Sequence, residues 1–115
     1  MLALSLLSGC MRSEDEFLIK VEGAPADKAV LYLDGPGVEL PAVEGGFRGV
    51  HDIRRDSSGV IIVYLRERPP VVCDIGYTTN GLSAVWRFRV DTKHEDCQAV
   101  GQSPVVPHDR PKPER

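Results

Sequence analysis

The chain has 115 residues, 14 Lys and Arg against 17 Asp and Glu, and a formal net charge of -3 at pH 7. With the basic residues scattered among acids, that balance supplies no field for nucleic acid, and the length supports one domain. Eleven glycines and nine prolines among short runs of Val, Ile and Leu point to strands joined by tight turns.

The chain opens on an apolar run, Met1 to Leu7, closed by Leu7-Ser8-Gly9-Cys10. A branched apolar residue, two small residues and a cysteine resemble the lipobox of bacterial lipoproteins. The resemblance implies diacylation of the Cys10 thiol, cleavage between Gly9 and Cys10, N-acylation of the new terminus, and attachment to the membrane through that lipid. Residues 1–9 are then a signal peptide and residues 10–16 a short, polar, lipidated tether. Secretory signals normally begin with a positive segment, and no Lys or Arg precedes this run, so a start placed too late and a truncated signal are expected. Met11 is not the aspartate that retains lipoproteins in the inner membrane. The resemblance therefore favours the outer membrane of a bacterial cell envelope, with the domain facing the periplasm. No later stretch approaches the roughly 20 apolar residues that cross a bilayer.

Phe17 to Glu22 alternates, with Phe17, Ile19 and Val21 on one face, and predicts a strand ended by Gly23-Ala24-Pro25. Lys28 to Leu33 predicts a second, stopped by Asp34-Gly35-Pro36-Gly37. Val38 to Val43 faces Phe47 to Arg54 across the turn residues Glu44-Gly45-Gly46. Pro41 cannot donate to a ladder, which places that strand at an edge. After the turn Asp56-Ser57-Ser58-Gly59 comes Val60-Ile61-Ile62-Val63-Tyr64-Leu65, apolar on both parities and so expected in the middle of a sheet. Arg66-Glu67-Arg68-Pro69-Pro70 breaks it. Arg54-Arg55-Asp56 and Arg66-Glu67-Arg68 flank this apolar strand as solubilising charges.

Asn80-Gly81 is a strong two-residue hairpin signal, predicting that Val71 to Thr79 pairs with Leu82 to Val90. The implied register sets Asp74 opposite Arg87, Cys73 opposite Phe88 and Ile75 opposite Trp86. Cys73, Ile75, Tyr77, Ala84, Trp86 and Phe88 then face the core. Asp74, Arg87 and Arg89 share the solvated face and form the candidate partner-binding surface, the arginines as charge-assisted donors. With Cys10 consumed by lipid, Cys73 and Cys97 remain as an even pair in an exported chain, which predicts a disulfide. It would close a loop of about 24 residues, worth roughly 3 kcal/mol. Residues 101–115, with prolines at 104, 107, 111 and 113, read as a disordered tail.

Seven or eight short strands at about ten-residue spacing predict an all-β domain over residues 17–100, a small antiparallel two-sheet sandwich with immunoglobulin-like or Greek-key connections. A small β-barrel is the alternative. The Cys73, Trp86 and Cys97 spacing is too short for the inter-sheet bridge of immunoglobulin domains. The stretch Cys73-Asp74-Ile75-Gly76-Tyr77 with Trp86-Arg87-Phe88-Arg89-Val90 and Cys97 also resembles the C-terminal half of small lipoproteins, a likeness that implies no activity.

No GxSxG, HExxH or phosphate-cradling loop occurs. His51, His94 and His108 have no spacing that converges them on a metal. His94-Glu95-Asp96 reads as a solvated turn, and Glu14-Asp15-Glu16 as part of the tether. No catalytic residue, cofactor or metal is expected. The function expected is a structural or binding role in the cell envelope, with an envelope protein or glycan as partner. An anchored inhibitor or immunity-type protein against a cell-wall hydrolase or toxin is the alternative. A metal-dependent or glycan-cleaving enzyme, which needs the histidines or carboxylates to converge across a cleft, is third.

Overall fold

The computed structural model describes residues 13–104, and all regular structure among them is strand. Nine strands follow in order: β1 (Ser13–Glu22), β2 (Ala26–Leu33), β3 (Val38–Glu39), β4 (Ala42–Val43), β5 (Gly46–Ile53), β6 (Ser57–Leu65), β7 (Val71–Thr78), β8 (Ala84–Asp91) and β9 (Asp96–Pro104). They form a five-stranded sheet, β4-β5-β1-β8-β9, packed on a four-stranded sheet, β3-β2-β6-β7. Each sheet keeps two edges, so the barrel alternative falls and the fold is a small β-sandwich. All pairings are antiparallel except β1 with β8.

Alternate residues along the strands build the core, among them Phe17, Ile19, Trp86 and Phe88 as the sequence parity predicts. Phe17 and Ile19 of β1, Leu31 and Leu33 of β2, Phe47 and Ile53 of β5, Ile61 and Val63 of β6, and Trp86, Phe88 and Val90 of β8 are all buried between the sheets. The rings of Phe17 and Trp86 stack, with centroids 6.4 Å apart and planes at 11°. The strand Val60 to Leu65 lies between β2 and β7, as its two apolar parities require.

Three boundaries differ from expectation. β1 begins at Ser13, inside the expected tether, and Ser13 to Glu16 pair with Ile53 to Val50. β9 runs to Pro104, inside the expected tail, with Gly101 to Pro104 paired along β8. Ser57 to Gly59, expected as a turn, already pair with Thr78 to Gly76. The strand expected over Val38 to Val43 is two short strands in different layers. Leu40 N–H donates to Ala29 carbonyl oxygen at 2.9 Å, whereas the Pro41 carbonyl accepts from Arg48 N–H at 3.0 Å. The chain thus changes sheet between Leu40 and Pro41, where proline has no N–H to lose. Both halves lie at edges, as Pro41 demanded.

The largest correction concerns the Asn80-Gly81 hairpin. The turn itself forms: Leu82 N–H donates to Thr79 carbonyl oxygen at 3.2 Å, and Gly81 has φ +92°. The strands it joins do not pair, because β7 stays in the four-stranded sheet and β8 crosses to the other. A turn dipeptide fixes a local reversal, and long-range partners decide the layer. Here Ser13 Oγ accepts from Gly81 N–H at 3.1 Å and Asp15 Oδ1 accepts from Ala84 N–H at 3.1 Å, which draws the chain onto β1. The expected pairs Asp74 with Arg87, Cys73 with Phe88 and Ile75 with Trp86 are therefore absent. Tyr77 also reverses, being 61% exposed. Gly59 pairs with Gly76 and Val60 with Asp74, so Ile75 is an extra residue on β7. Gly76, at φ +83°, absorbs this bulge, and the inward parity passes to Thr78.

Cys73 and Cys97 are bridged, with Cα atoms 5.3 Å apart. As the spacing required, the bond is not the immunoglobulin-type bridge between two inner strands. It joins β7 to β9, which are edge strands on the same side of the sandwich, and so needs no passage through the core.

Candidate functional site

The three residues expected to share a binding face are divided between the two outer faces. Asp74 lies on the outside of the four-stranded sheet, where its Oδ1 accepts from Gly76 N–H at 3.0 Å and supports the bulge. Arg87 and Arg89 lie on the outside of the five-stranded sheet. The physical reason is the layer change after Gly81, which carries β8 away from β7. Arg87 stands beside Leu18 and Arg89 beside Lys20 across the parallel β1–β8 pair. These cations border a shallow groove of about 270 Å³ with Leu18, Phe88 and Val100. Arg48 is paired with Glu16 on the same face.

The outer face of the four-stranded sheet is of a different character. Because β6 is apolar on both parities, Ile61, Val63 and Leu65 fill the core while Val60, Ile62 and Tyr64 turn outward, half-buried. Register brings like residues beside them: Val30, Ile62 and Val72 form one row, and Tyr32 lies beside Val60. Val72 is 54% exposed and Tyr32 36% exposed. Tyr32 and Val30 rest against Gly37, where an added Cβ would stand 2.6 and 2.7 Å from their side-chain atoms. Hydrogen bonding with Tyr64 is the main cause raising the Tyr32 phenol above its ordinary value. Lys28 Nζ sits 5.2 Å from the Tyr64 ring centre. From strand and residue spacing the apolar area covers roughly 300 Å². Its frame is charged, with Lys28 at one end, Asp74 on β7 and Glu39 on β3.

A third feature was hidden in the acidic run. Asp15 is 1% exposed, with Oδ1 accepting from Ala84 N–H and Oδ2 from Trp86 Nε1–H at 2.9 Å. Burial raises its carboxyl above the ordinary 3.8, against the opposing effects of those two bonds and of His51. The signal was available: Ser13 and Asp15 share the parity of Phe17 and Ile19, so the strand extends backwards with Asp15 facing inward. Trp86 is a core residue, as expected, and its polar edge explains why Asp15 is tolerated there.

The remaining candidates stay apart. His51 is half-buried on β5 and borders an open groove of about 510 Å³ with Asp34, Asp52, Arg54, Arg55 and Ser57 at the end of the sandwich where β1 starts. Arg55 pairs with Asp34 at 2.9 Å. His94 lies at the opposite end, its Nδ1 2.7 Å from Asp91 Oδ2. That bond is the main cause of the raised His94 pKa and the lowered Asp91 pKa. Among the described residues no three His, Cys, Asp or Glu side chains gather to hold a metal ion. The flanking charges have specific partners: Arg66 reaches Asp27 at 3.0 Å, and Arg68 donates to Thr92 carbonyl oxygen at 2.6 Å. Cys10 and His108 lie outside the described residues.

Comparison of the chain with protein-family models, with curated proteins and with solved structures returns no match.

Proposed function

We propose that this is a lipid-anchored extracytoplasmic protein whose non-catalytic β-sandwich binds another envelope protein through the outer face of the four-stranded sheet. The observation that carries the binding reading is the apolar row Val30, Ile62, Val72 with Tyr32, Val60 and Tyr64, left uncovered among the described residues. Its area matches the largest patch of an ordinary monomer, which is often functional, but is less than half of the roughly 800 Å² that each partner of a stable interface buries. A second copy stacked on this face alone would bind too weakly to persist. The fitting occupant is a protein that presents a narrow apolar strip, with a carboxylate for Lys28 and a cation for Asp74 and Glu39. The envelope address is supported by the lipobox-like Leu7-Ser8-Gly9-Cys10 and is compatible with a Cys73–Cys97 disulfide, a bond far commoner in oxidising compartments than in the cytosol.

The test is site-specific photo-cross-linking in living cells from Val72 and, separately, from Arg89. A discrete adduct from Val72 that Ile62→Glu abolishes supports the reading. An adduct from Arg89 alone, or one from Val72 that survives Ile62→Glu, rejects this face. The first result would favour the alternative of an anchored inhibitor or immunity-type protein against a hydrolase or toxin. The Lys20, Arg87 and Arg89 group is the charged surface it would offer.

A further inference from the structure

We infer that the sandwich stands upright on the bilayer, on the end formed by the Asp34–Gly37, Arg54–Asp56 and Asn80–Leu82 turns, with its strands along the membrane normal. This rests on the lipid anchor at Cys10 proposed above. Only Met11 and Arg12 separate that cysteine from Ser13, so the three Cα steps span at most roughly 11 Å. There is no slack on the protein side. Ser13 is buried, pairs with Ile53, and accepts a hydrogen bond from Gly81 N–H through its Oγ. The rigid domain thus begins within one headgroup layer of the lipid.

Which parts lie at that end follows from strand direction. β1, β6 and β8 start there; β2, β5, β7 and β9 finish there. The turn after β2, the turn after β5 and the Asn80-Gly81 turn are therefore membrane-proximal. Leu82, 54% exposed, is the apolar residue at the tip of the last. Glu22, Thr92 and His94 sit at the other end, about 30 Å away along the ten residues of β1.

A domain so tethered has one serious alternative, to lie flat on the outer face of its five-stranded sheet and offer Lys20, Arg87 and Arg89 to the headgroups. The part of that face nearest the tether carries Glu14 opposite Asp52, with Glu16 next along the strand already paired to Arg48. Pressing those carboxylates onto anionic headgroups is repulsive. The standing end is balanced instead. Arg55 pairs with Asp34, Asp56 Oδ1 accepts from Asn80 N–H at 2.8 Å, and Arg54 projects to solvent. Because Arg54 and Arg55 offset Asp34 and Asp56, the turns that meet the bilayer carry no net charge, so orientation is set by the tether and is insensitive to salt. The upright stance also presents the apolar face of the four-stranded sheet sideways, toward a neighbour rather than toward lipid.

With Cys10 lipidated and Cys73 bridged to Cys97, an introduced cysteine is the single reactive thiol. Full-length protein purified from membranes and reconstituted in phosphatidylcholine vesicles, with and without phosphatidylglycerol, is labelled with a fluorophore at Leu82→Cys, Arg89→Cys or Lys93→Cys. A headgroup-level spin-labelled lipid is the quencher. The upright stance gives severalfold stronger quenching at position 82 than at 89 or 93, unchanged by salt or by the anionic lipid. Quenching at 82 and 89 together means that the domain lies flat, and equal quenching at all three that it tumbles. Either overturns the inference and leaves the anchor standing. Protein without an introduced cysteine is the separate control: a thiol that labels at Cys10 refutes the anchor, and the inference with it.

Discussion

Removing the Asp15 carboxylate orphans two donors at once. In Asp15→Ala the Ala84 N–H and the Trp86 Nε1–H, which the carboxylate accepts at 3.1 and 2.9 Å, remain buried without a partner. Each orphaned donor costs about 1 to 3 kcal/mol, so the substitution costs about 2 to 6 kcal/mol of the roughly 5 to 10 kcal/mol expected for such a domain. Trp86→Phe removes one donor and keeps a ring against Phe17, at about 1 to 2 kcal/mol. In that background Asp15→Ala orphans only Ala84 N–H. The two changes therefore couple by about 1 to 3 kcal/mol, with the double variant less unstable than the sum. Urea unfolding followed by far-UV circular dichroism, on a Cys10→Ser form that stays soluble, measures this. With a slope of about 1 kcal/mol/M, Asp15→Ala lowers the midpoint by about 2 M or more. Costs that add with less than about 0.3 kcal/mol of coupling would refute the buried bond. The same carboxyl gives a pH signature. Its folded pKa is raised above 3.8, chiefly by burial, so its contribution is complete below 3.8 and is lost as pH rises through the folded value. Asp15→Asn removes that loss, and identical slopes for variant and parent above pH 3.8 would contradict it.

The Cys73–Cys97 bridge closes a loop with a sequence separation of 24, and its reduction lowers stability by about 3 kcal/mol, read as a lower urea midpoint in reductant that a Cys73→Ala, Cys97→Ala form reproduces without reductant. Gly76→Ala forces a side chain into the left-handed region at φ +83° and costs about 1 to 2 kcal/mol, measured in the same assay, although no atom lies within 4 Å of the added Cβ. His94 titrates above 6.5 because Asp91 holds its protonated form. That contribution is present below 6.5 and lost as pH rises through the folded pKa, and nuclear magnetic resonance of Asp91→Asn shows the titration falling back.

Local pattern carried most of the strands, and long-range contacts decided what it could not. Period-two alternation gave Phe17, Ile19, Trp86 and Phe88 to the core, because parity is a property of the strand itself. Which strand a neighbour joins is not. Asn80-Gly81 specifies a reversal, yet the layer of β8 is settled by acceptors on Ser13 and Asp15, about 70 residues earlier. An acidic tripeptide reads as exposed, and the one sign that its middle member is buried is the parity Asp15 shares with Phe17 and Ile19. The candidate surface failed for the same reason: Asp74 and Arg87 were placed together by a pairing that does not occur, while the apolar outer face was implicit in the two parities of Val60 to Leu65. Tyr77 was misplaced by one inserted residue, which alternation cannot register.

Strand edges are where one β protein can zip onto another, and this fold leaves little of them usable. At one side, the crossing at Leu40-Pro41 cuts what would have been a six-residue edge into β3 and β4, two residues each, too short to template a partner strand. At the other, β7 carries its bulge at Ile75-Gly76 and β9 skips Val100 between Gly101 and Ala99, so neither offers an unbroken row of hydrogen-bonding groups. The disulfide fastens these two together. Crowded domains of this kind can meet face to face without polymerising edge to edge, and reduction of a single bond would loosen one of the two guarded sides.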